Sequence, residues 1–186
     1  MKFTLPQNPK IYITIAIIAG VIWGALRPNL MEDTGLAGLI TNLHRFADGF
    51  APNQISVQNW ANSLLRNGHV LLLIWACAAV PKLFWAAYLL IYLRAMTATF
   101  SITLLIHAFG ARGVLMAMAL NLPQNALILG VCAITICHIK KSEQIKPAKP
   151  VIIGILAAIT ASAYEIFMAP WLFNAAIASL TRNPII

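Results

Sequence analysis

Two ionisable residues, Arg94 and Glu165, stand alone within long apolar stretches of this 186-residue sequence. A charged side chain inside a bilayer is costly, so each should face the interior of a helical bundle, a partner or water. Two interpretations follow. In the structural interpretation, the residues form a buried ion pair that fixes how two helices pack. In the functional interpretation, they handle a proton or ion, or they dock a partner's transmembrane helix. We expect both to lie near the midpoints of their helices, at matching depth.

The second unusual element is the motif Pro123-Gln124-Asn125, which also lies within an apolar run. Proline removes a backbone donor and frees a carbonyl group, which protein or water must satisfy at membrane depth. The amides of Gln124 and Asn125 could supply those hydrogen bonds themselves. The motif therefore predicts either a simple kink or a broken helix that lines a cavity or an interface.

No set of catalytic residues accompanies these elements. The sequence lacks nucleophile-elbow, zinc-protease and phosphate-loop motifs, and Glu165 has no second acid nearby for acid–base hydrolysis. The cysteines Cys77, Cys132 and Cys137 lie in apolar runs without metal-ligand spacing, which favours packing roles. We therefore expect no enzymatic activity, no metal and no cofactor.

Composition identifies lipid as the solvent for much of the chain. Hydrophobic residues make up 60% of the sequence and charged residues 10%, against about 25% charged residues in a soluble domain. A chain this short is mostly surface, so a large buried core cannot explain the difference. The net charge is +8, but the basic residues are scattered between apolar runs, which argues against a nucleic-acid partner.

The long apolar runs between charged residues predict an all-α fold, a polytopic transmembrane helical bundle of about five spans with one Pro-broken helix. The first apolar run could be a signal peptide, but a poor cleavage site follows it, which favours a retained anchor. All residues from 1 to 186 belong to one membrane domain. Its predicted parts are a tail at 1–10, a span at 11–26, a loop with a short amphipathic helix at 27–56, spans at 57–80, 83–107 and 113–139 (broken), a lysine-rich loop at 140–149 and a span at 150–179.

The lysines predict the orientation. All seven fall on one side of the membrane if five helices cross, and four of them lie in the 140–149 loop. Lysine-rich short loops face the cytoplasm, so we expect a cytoplasmic N-terminus and an extracytoplasmic C-terminus. Gly20 and Gly24 form a GxxxG pair in the first span, which is typical of close packing against another helix and leaves a homo-oligomer open.

The central stretch resembles the stage II sporulation protein M family of bacterial membrane proteins. The most specific part is the Pro-Gln-Asn element, which follows a Gly-basic-Gly turn. The matching segments are residues 67–75, the helix around Arg94, residues 110–115, residues 122–125 and residues 164–170.

This resemblance implies a multi-pass protein of the bacterial cell membrane that acts during forespore engulfment. It would assemble two peptidoglycan hydrolases, the stage II sporulation proteins D and P (a lytic transglycosylase and an amidase), as a scaffold without catalysis. Arg94, Glu165 and the Pro123-Gln124-Asn125 motif would then dock partners. The alternative is a small transporter subunit with Arg94, Asn125 and Glu165 along a path. Transporters often carry internal repeats, and the two halves show no convincing self-similarity.

Overall fold

The computed structural model describes residues 8–48, 57–141 and 148–172, and this part of the chain is almost entirely helical, without a strand. The predicted all-α class is therefore confirmed. The α-helices are α1 (Pro9–Leu26), α2 (Asp33–Asp48), α3 (Val57–Ala79), α4 (Phe84–Phe109), α5 (Ala111–Leu120), α6 (Leu122–Lys141) and α7 (Ala148–Ala163), with 3₁₀ turns at Arg27–Leu30 and Pro81–Leu83 and a π-helical segment at Tyr164–Met168.

Four helices are long and apolar enough to cross a membrane, which is consistent with a membrane protein. The helix α3 has a comparable length of 23 residues, but its first half is polar. Part of the predicted 27–56 loop forms α2, and the predicted end of the last span at residue 179 lies outside the described residues. The four spans are Pro9–Leu30, Phe84–Phe109, Leu122–Ile139 and Pro150–Leu172.

The pair Gly20 and Gly24 brings α1 against α4 of the same chain. A Cβ atom at Gly20 would lie 2.5 Å from the carbonyl oxygen of Tyr92, and one at Gly24 would lie 3.0 Å from the backbone nitrogen of Phe100. Both neighbours are backbone atoms, which a side-chain rotation cannot move aside. The close-packing surface predicted for these glycines is thus occupied within the monomer.

The core lies where α3, α4, α6 and α7 meet. Its largest fully buried apolar side chains come from three of these helices and are Ile74, Ile91, Ile128 and Ile136. The outer faces of α1 and α7 carry exposed isoleucines and leucines instead. Helices that are apolar on all sides are typical of membrane spans, because lipid replaces water around them.

A glycine turn and a proline interruption shape the fourth predicted span. Gly110 has φ +60°, a conformation that favours glycine, and it ends α4 so that α5 folds back onto that helix. The helix then divides at Asn121 (φ −112°, ψ −38°), between α5 and α6 and two residues before Pro123. The predicted interruption is therefore present, and it brings Gln124 to the first turn of α6.

Candidate functional site

A polar cluster lies between α3, α4, α6 and the C-terminal helix, in surroundings that are otherwise apolar. Hydrogen bonds connect its members across four helices of the bundle. Glu165 and Asn67 are the two residues to which most of the others connect. The polar cluster consists of Ser63, Arg66, Asn67, Arg94, Gln124, Ser162 and Glu165.

The carboxylate of Glu165 accepts from three side chains. Ser63 Oγ donates to Oε2 over 2.6 Å, and Gln124 Nε2 donates to the same oxygen over 2.9 Å. Arg66 forms an ion pair with the other carboxylate oxygen. The side chain of Glu165 is only 25% exposed. A largely buried charge requires a countercharge and hydrogen bonds, and Glu165 has both.

Asn67 is fully buried and links four neighbours through its amide. Its Oδ1 accepts from Gln124 over 3.1 Å and from Arg94 over 3.4 Å. Its Nδ2 donates to Ser63 Oγ and Ser162 Oγ, each over 3.4 Å. The amide therefore uses both its oxygen and its nitrogen, which fixes the relative positions of α3, α4, α6 and α7.

The direct ion pair between Arg94 and Glu165 that depth matching suggested does not form. Among the described residues, the salt bridge of Glu165 is with Arg66, and Arg94 joins the cluster through Asn67. The reason is lateral position: the π-helical segment that carries Glu165 packs against α3, which supplies the nearer cation. Equal depth places two charges at one level, but the arrangement of the helices decides which of them meet.

The sequence did not single out four members of the cluster, of which one is Ser162 on α7 and three lie on α3. Ser63, Arg66 and Asn67 lie at i, i+3 and i+4 on α3, which places them on one face of the helix. A polar face on a helix whose second half is apolar is the signal that could have identified them.

The carbonyl freed by Pro123 is satisfied by a residue distant in sequence. Pro123 has no N–H group for the carbonyl of Ala119, four residues earlier. The hydroxyl of Tyr164 donates to that carbonyl oxygen over 2.5 Å. The amides proposed for this role have other partners, because Gln124 binds in the polar cluster and Asn125 donates to the Asn121 carbonyl over 2.8 Å.

A second, smaller network ties the interruption to α4. The side chain of Asn121 donates to the Ala98 carbonyl over 2.9 Å and also receives a hydrogen bond from Asn125. Asn125 is buried, like Gln124. The predicted site residues therefore fall into two groups: Arg94, Gln124 and Glu165 share the polar cluster, whereas Asn125 belongs to the Asn121 network.

The π-helical segment explains how two adjacent residues, Tyr164 and Glu165, contact different helices. The Ala169 N–H donates to the carbonyl of Tyr164, five residues earlier, and Pro170 follows without an N–H group. This wider turn directs the Tyr164 hydroxyl to α5 and the Glu165 carboxylate to α3 and α6. Short π-helical turns occur frequently at functional sites.

We expect Tyr164→Phe to destabilise the protein by about 1–3 kcal/mol, because it leaves the Ala119 carbonyl without a donor. In a Pro123→Ala background the alanine N–H can satisfy that carbonyl, so the same change should cost much less. Denaturant unfolding of the four proteins in detergent measures this. Tyr92→Phe is the control, since its hydroxyl has no hydrogen-bond partner among the described residues. Equal costs in both backgrounds would contradict the assignment.

Within residues 8–48, 57–141 and 148–172, no group of three His, Cys, Asp or Glu side chains could hold a metal ion. No family model, curated protein or solved structure matches the chain. Membership of the stage II sporulation protein M family therefore stays a prediction.

Proposed function

We propose that this chain is a non-catalytic membrane scaffold whose polar cluster docks the transmembrane segment of a partner protein. The observation that supports the proposal is the position of Arg66. Its side chain is 60% exposed, and Glu165 is its single hydrogen-bond partner among the described residues. A guanidinium has five N–H donors, so several remain for another molecule.

The depth of Arg66 makes a partner more favourable than lipid. It is the tenth of the 23 residues of α3, about 14 Å from the first. In the five-crossing topology proposed below, α3 crosses the membrane and Arg66 lies near the middle of a ~30 Å hydrocarbon core. An arginine that faces lipid at that depth is costly. The cluster holds two arginines and one glutamate and so carries one net positive charge. A partner helix with a carboxylate or amide oxygen at this level would complement it.

The identity of the partner comes from the resemblance alone. We propose that the scaffold recruits and assembles peptidoglycan hydrolases, the stage II sporulation proteins D and P, during engulfment at the bacterial cell membrane. A protein without catalytic residues of its own would then hold an amidase and a lytic transglycosylase at the site of cell-wall remodelling. Arg94, Gln124 and Glu165 would support Arg66 from within the cluster.

Affinity purification of the tagged full chain from sporulating cells tests this proposal. The wild-type protein should recover cell-wall hydrolases, and Arg66→Gln should lose most of them. Arg66→Lys keeps the charge beside Glu165 but loses the planar fork, so it should fold and still bind less. Arg112→Gln, an exposed arginine outside the cluster, is the control. If both Arg66 variants retain every partner, docking at the cluster is refuted. If the partners that depend on Arg66 include no hydrolase, only the hydrolase assignment is refuted.

The topology that fits this function has five crossings, with α3 as the additional one. The helix α3 is about 34 Å long and packs against α4, α6 and α7. In its polar first half, Ser63 and Asn67 are buried in the cluster, whereas Arg66 is exposed and would meet the partner. With the N-terminus in the cytoplasm, the lysine-rich segment is also cytoplasmic and the C-terminus is outside.

Cysteine labelling distinguishes this topology from one without the α3 crossing. In a cysteine-free background, Leu30→Cys should react from outside the cell and Ile145→Cys from the cytoplasm. If α3 does not cross, only α4 and α6 cross between the two positions. Two crossings return the chain to the side on which it started, so both cysteines react from the same side. Membrane-impermeant reagents on intact and lysed cells provide the measurement.

The alternative function is transport through the same charges. It is favoured by the partial exposure of the Arg66–Glu165 pair at membrane depth, which could pass a proton or an anion. Purified protein in liposomes should then conduct without a partner, and Glu165→Gln should abolish the flux. The scaffold proposal predicts no flux from the chain alone.

A further inference from the structure

The polar cluster offers more hydrogen-bond donors than acceptors. Each of its two guanidinium groups has five N–H donors, yet within the described residues each makes one side-chain hydrogen bond, Arg66 to Glu165 and Arg94 to Asn67. Glu165 and Asn67 also accept from Gln124, so their carbonyl and carboxylate oxygens are already shared. A further group that joins the cluster is therefore favoured if it brings acceptors and no more donors.

Arg94 is the less satisfied of the two arginines. Its bond to Asn67 Oδ1 is 3.4 Å long, beyond the usual range of about 2.7–3.2 Å for an N–H group and an oxygen. Its Nε atom is buried and has no hydrogen-bond partner in the part of the chain that the structure describes. The one carboxylate of the cluster forms its salt bridge with Arg66 instead. The positive charge of Arg94 therefore has no carboxylate of its own.

The cluster meets the surface of the bundle through Arg66, which lies at the edge of an exposed face of α3. The exposed residues of this face recur at i, i+3, i+4, i+7, i+10 and i+11, which places them on one side of the helix. The face is about 16 Å long. In the five-crossing topology it faces lipid, so a membrane-embedded helix can reach it. This open face consists of Asn62, Leu65, Arg66, His69, Leu72 and Leu73.

The chemistry of the cluster distinguishes between the polar groups that a partner helix could bring to the open face. An amide or a hydroxyl group adds donors together with its acceptor and carries no charge. A carboxylate is an acceptor only, and its negative charge offsets the net positive charge of the two arginines and Glu165. An acidic residue inside a membrane also needs a partner of its own, because facing lipid is costly. The pairing therefore stabilises both helices.

We propose that the polar cluster selects an acidic residue, aspartate or glutamate, near the middle of the partner's transmembrane helix. This inference rests on the docking function proposed above and names the group that the partner must carry. The incoming carboxylate accepts from the free donors of Arg66, which keeps its ion pair with Glu165. Two arginines then face two carboxylates, and the positive charge of Arg94 is offset without a change in its contact with Asn67.

Synthetic transmembrane peptides test the proposal in phosphatidylcholine vesicles that hold the full chain. Three leucine-rich peptides of about 20 residues differ only at the central position, which is glutamate, glutamine or leucine. Energy transfer from a dye at Leu30→Cys, in a cysteine-free background, to a dye on the peptide measures association. The glutamate peptide should bind at least about tenfold more tightly than the glutamine peptide. Tenfold corresponds to about 1.4 kcal/mol, within the range for contacting charges.

Variants of the chain locate the group that recognises the glutamate peptide. Arg66→Gln should abolish the preference for glutamate over glutamine. Arg94→Gln keeps Arg66 but makes the cluster neutral, so it should reduce the preference severalfold. Arg112→Gln, an exposed arginine outside the cluster, is the control and should leave the preference unchanged.

The outcomes separate this inference from the docking function. Equal binding of the glutamate and glutamine peptides by the wild type would overturn the inference, as would a preference for glutamate that survives Arg66→Gln. Neither result would refute docking, which purification of partners from cells tests. A preference for glutamate that depends on Arg66, without recovery of any partner from cells, would refute the scaffold function and leave the selectivity of the cluster for a carboxylate in place.

Discussion

Gly24→Leu should prevent α1 from packing on α4 and should lower the free energy of unfolding by at least about 3 kcal/mol, the upper part of the range for overpacked cores. A Cβ at Gly24 already collides with the carbonyl of Met96, and one at Gly20 lies 2.5 Å from the Tyr92 carbonyl oxygen. These contacts are to helix backbone, so α1 must move away as a unit. Gly20→Leu should therefore act in the same direction.

Gly130→Leu is the matched control for this prediction. It adds the same side chain to another membrane-spanning helix, and its Cβ would meet nothing within 4 Å. Membrane abundance and thermal unfolding in detergent should be near wild type for this variant and much reduced for the two α1 variants. If Gly24→Leu unfolds like Gly130→Leu, α1 and α4 do not form the close contact described.

The glycine pair shows what sequence alone could predict here. The GxxxG spacing indicated a close helix contact, but the same spacing serves a contact within the chain or one between chains. Choosing α4 requires the three-dimensional arrangement of the helices. The helical class and the interruption near Pro123 were predictable for a simpler reason, since apolar runs and proline act locally on the backbone.

The composition of the polar cluster was only partly predictable. Hydropathy identified Arg94 and Glu165 because each interrupts an apolar run. It missed Arg66, which lies in the polar first half of α3 and so does not stand out. The role of Tyr164 was hidden for another reason: its contact with Ala119 depends on the π-helical segment, which no simple periodicity of the sequence encodes.

Glu165→Gln should have the largest effect of any substitution within the polar cluster. It removes the single negative charge of the cluster and leaves two arginines, Arg66 and Arg94, without a countercharge. It also replaces an acceptor with a donor beside Ser63 and Gln124, which both donate to Glu165. Because Arg66 is 60% exposed, solvent screens the pair and the loss should be smaller than the ~3–5 kcal/mol typical of a fully buried pair. Folded yield and denaturant unfolding in detergent measure the loss.

Double substitutions show which arginine is the partner of Glu165. Arg66→Gln alone should cost less than Glu165→Gln, because Arg66 is 60% exposed and Glu165 keeps two donors. In the Glu165→Gln background, Arg66→Gln should recover part of the lost stability, since it removes an unpaired charge. Arg94→Gln should recover less, because Arg94 reaches Glu165 only indirectly, through Asn67 and then Gln124 or Ser63.

The comparison of the two coupling energies is the decisive measurement. Contacting charges couple by about 0.5–3 kcal/mol in double-mutant cycles, and the coupling falls for residues that do not touch. We expect the Arg66–Glu165 coupling to exceed the Arg94–Glu165 coupling. Glu32→Gln, an exposed acid outside the cluster, is the control and should leave stability unchanged. A larger coupling with Arg94 would contradict the assignment of Arg66 as the partner of Glu165 and would favour the direct Arg94–Glu165 pair that depth matching suggested.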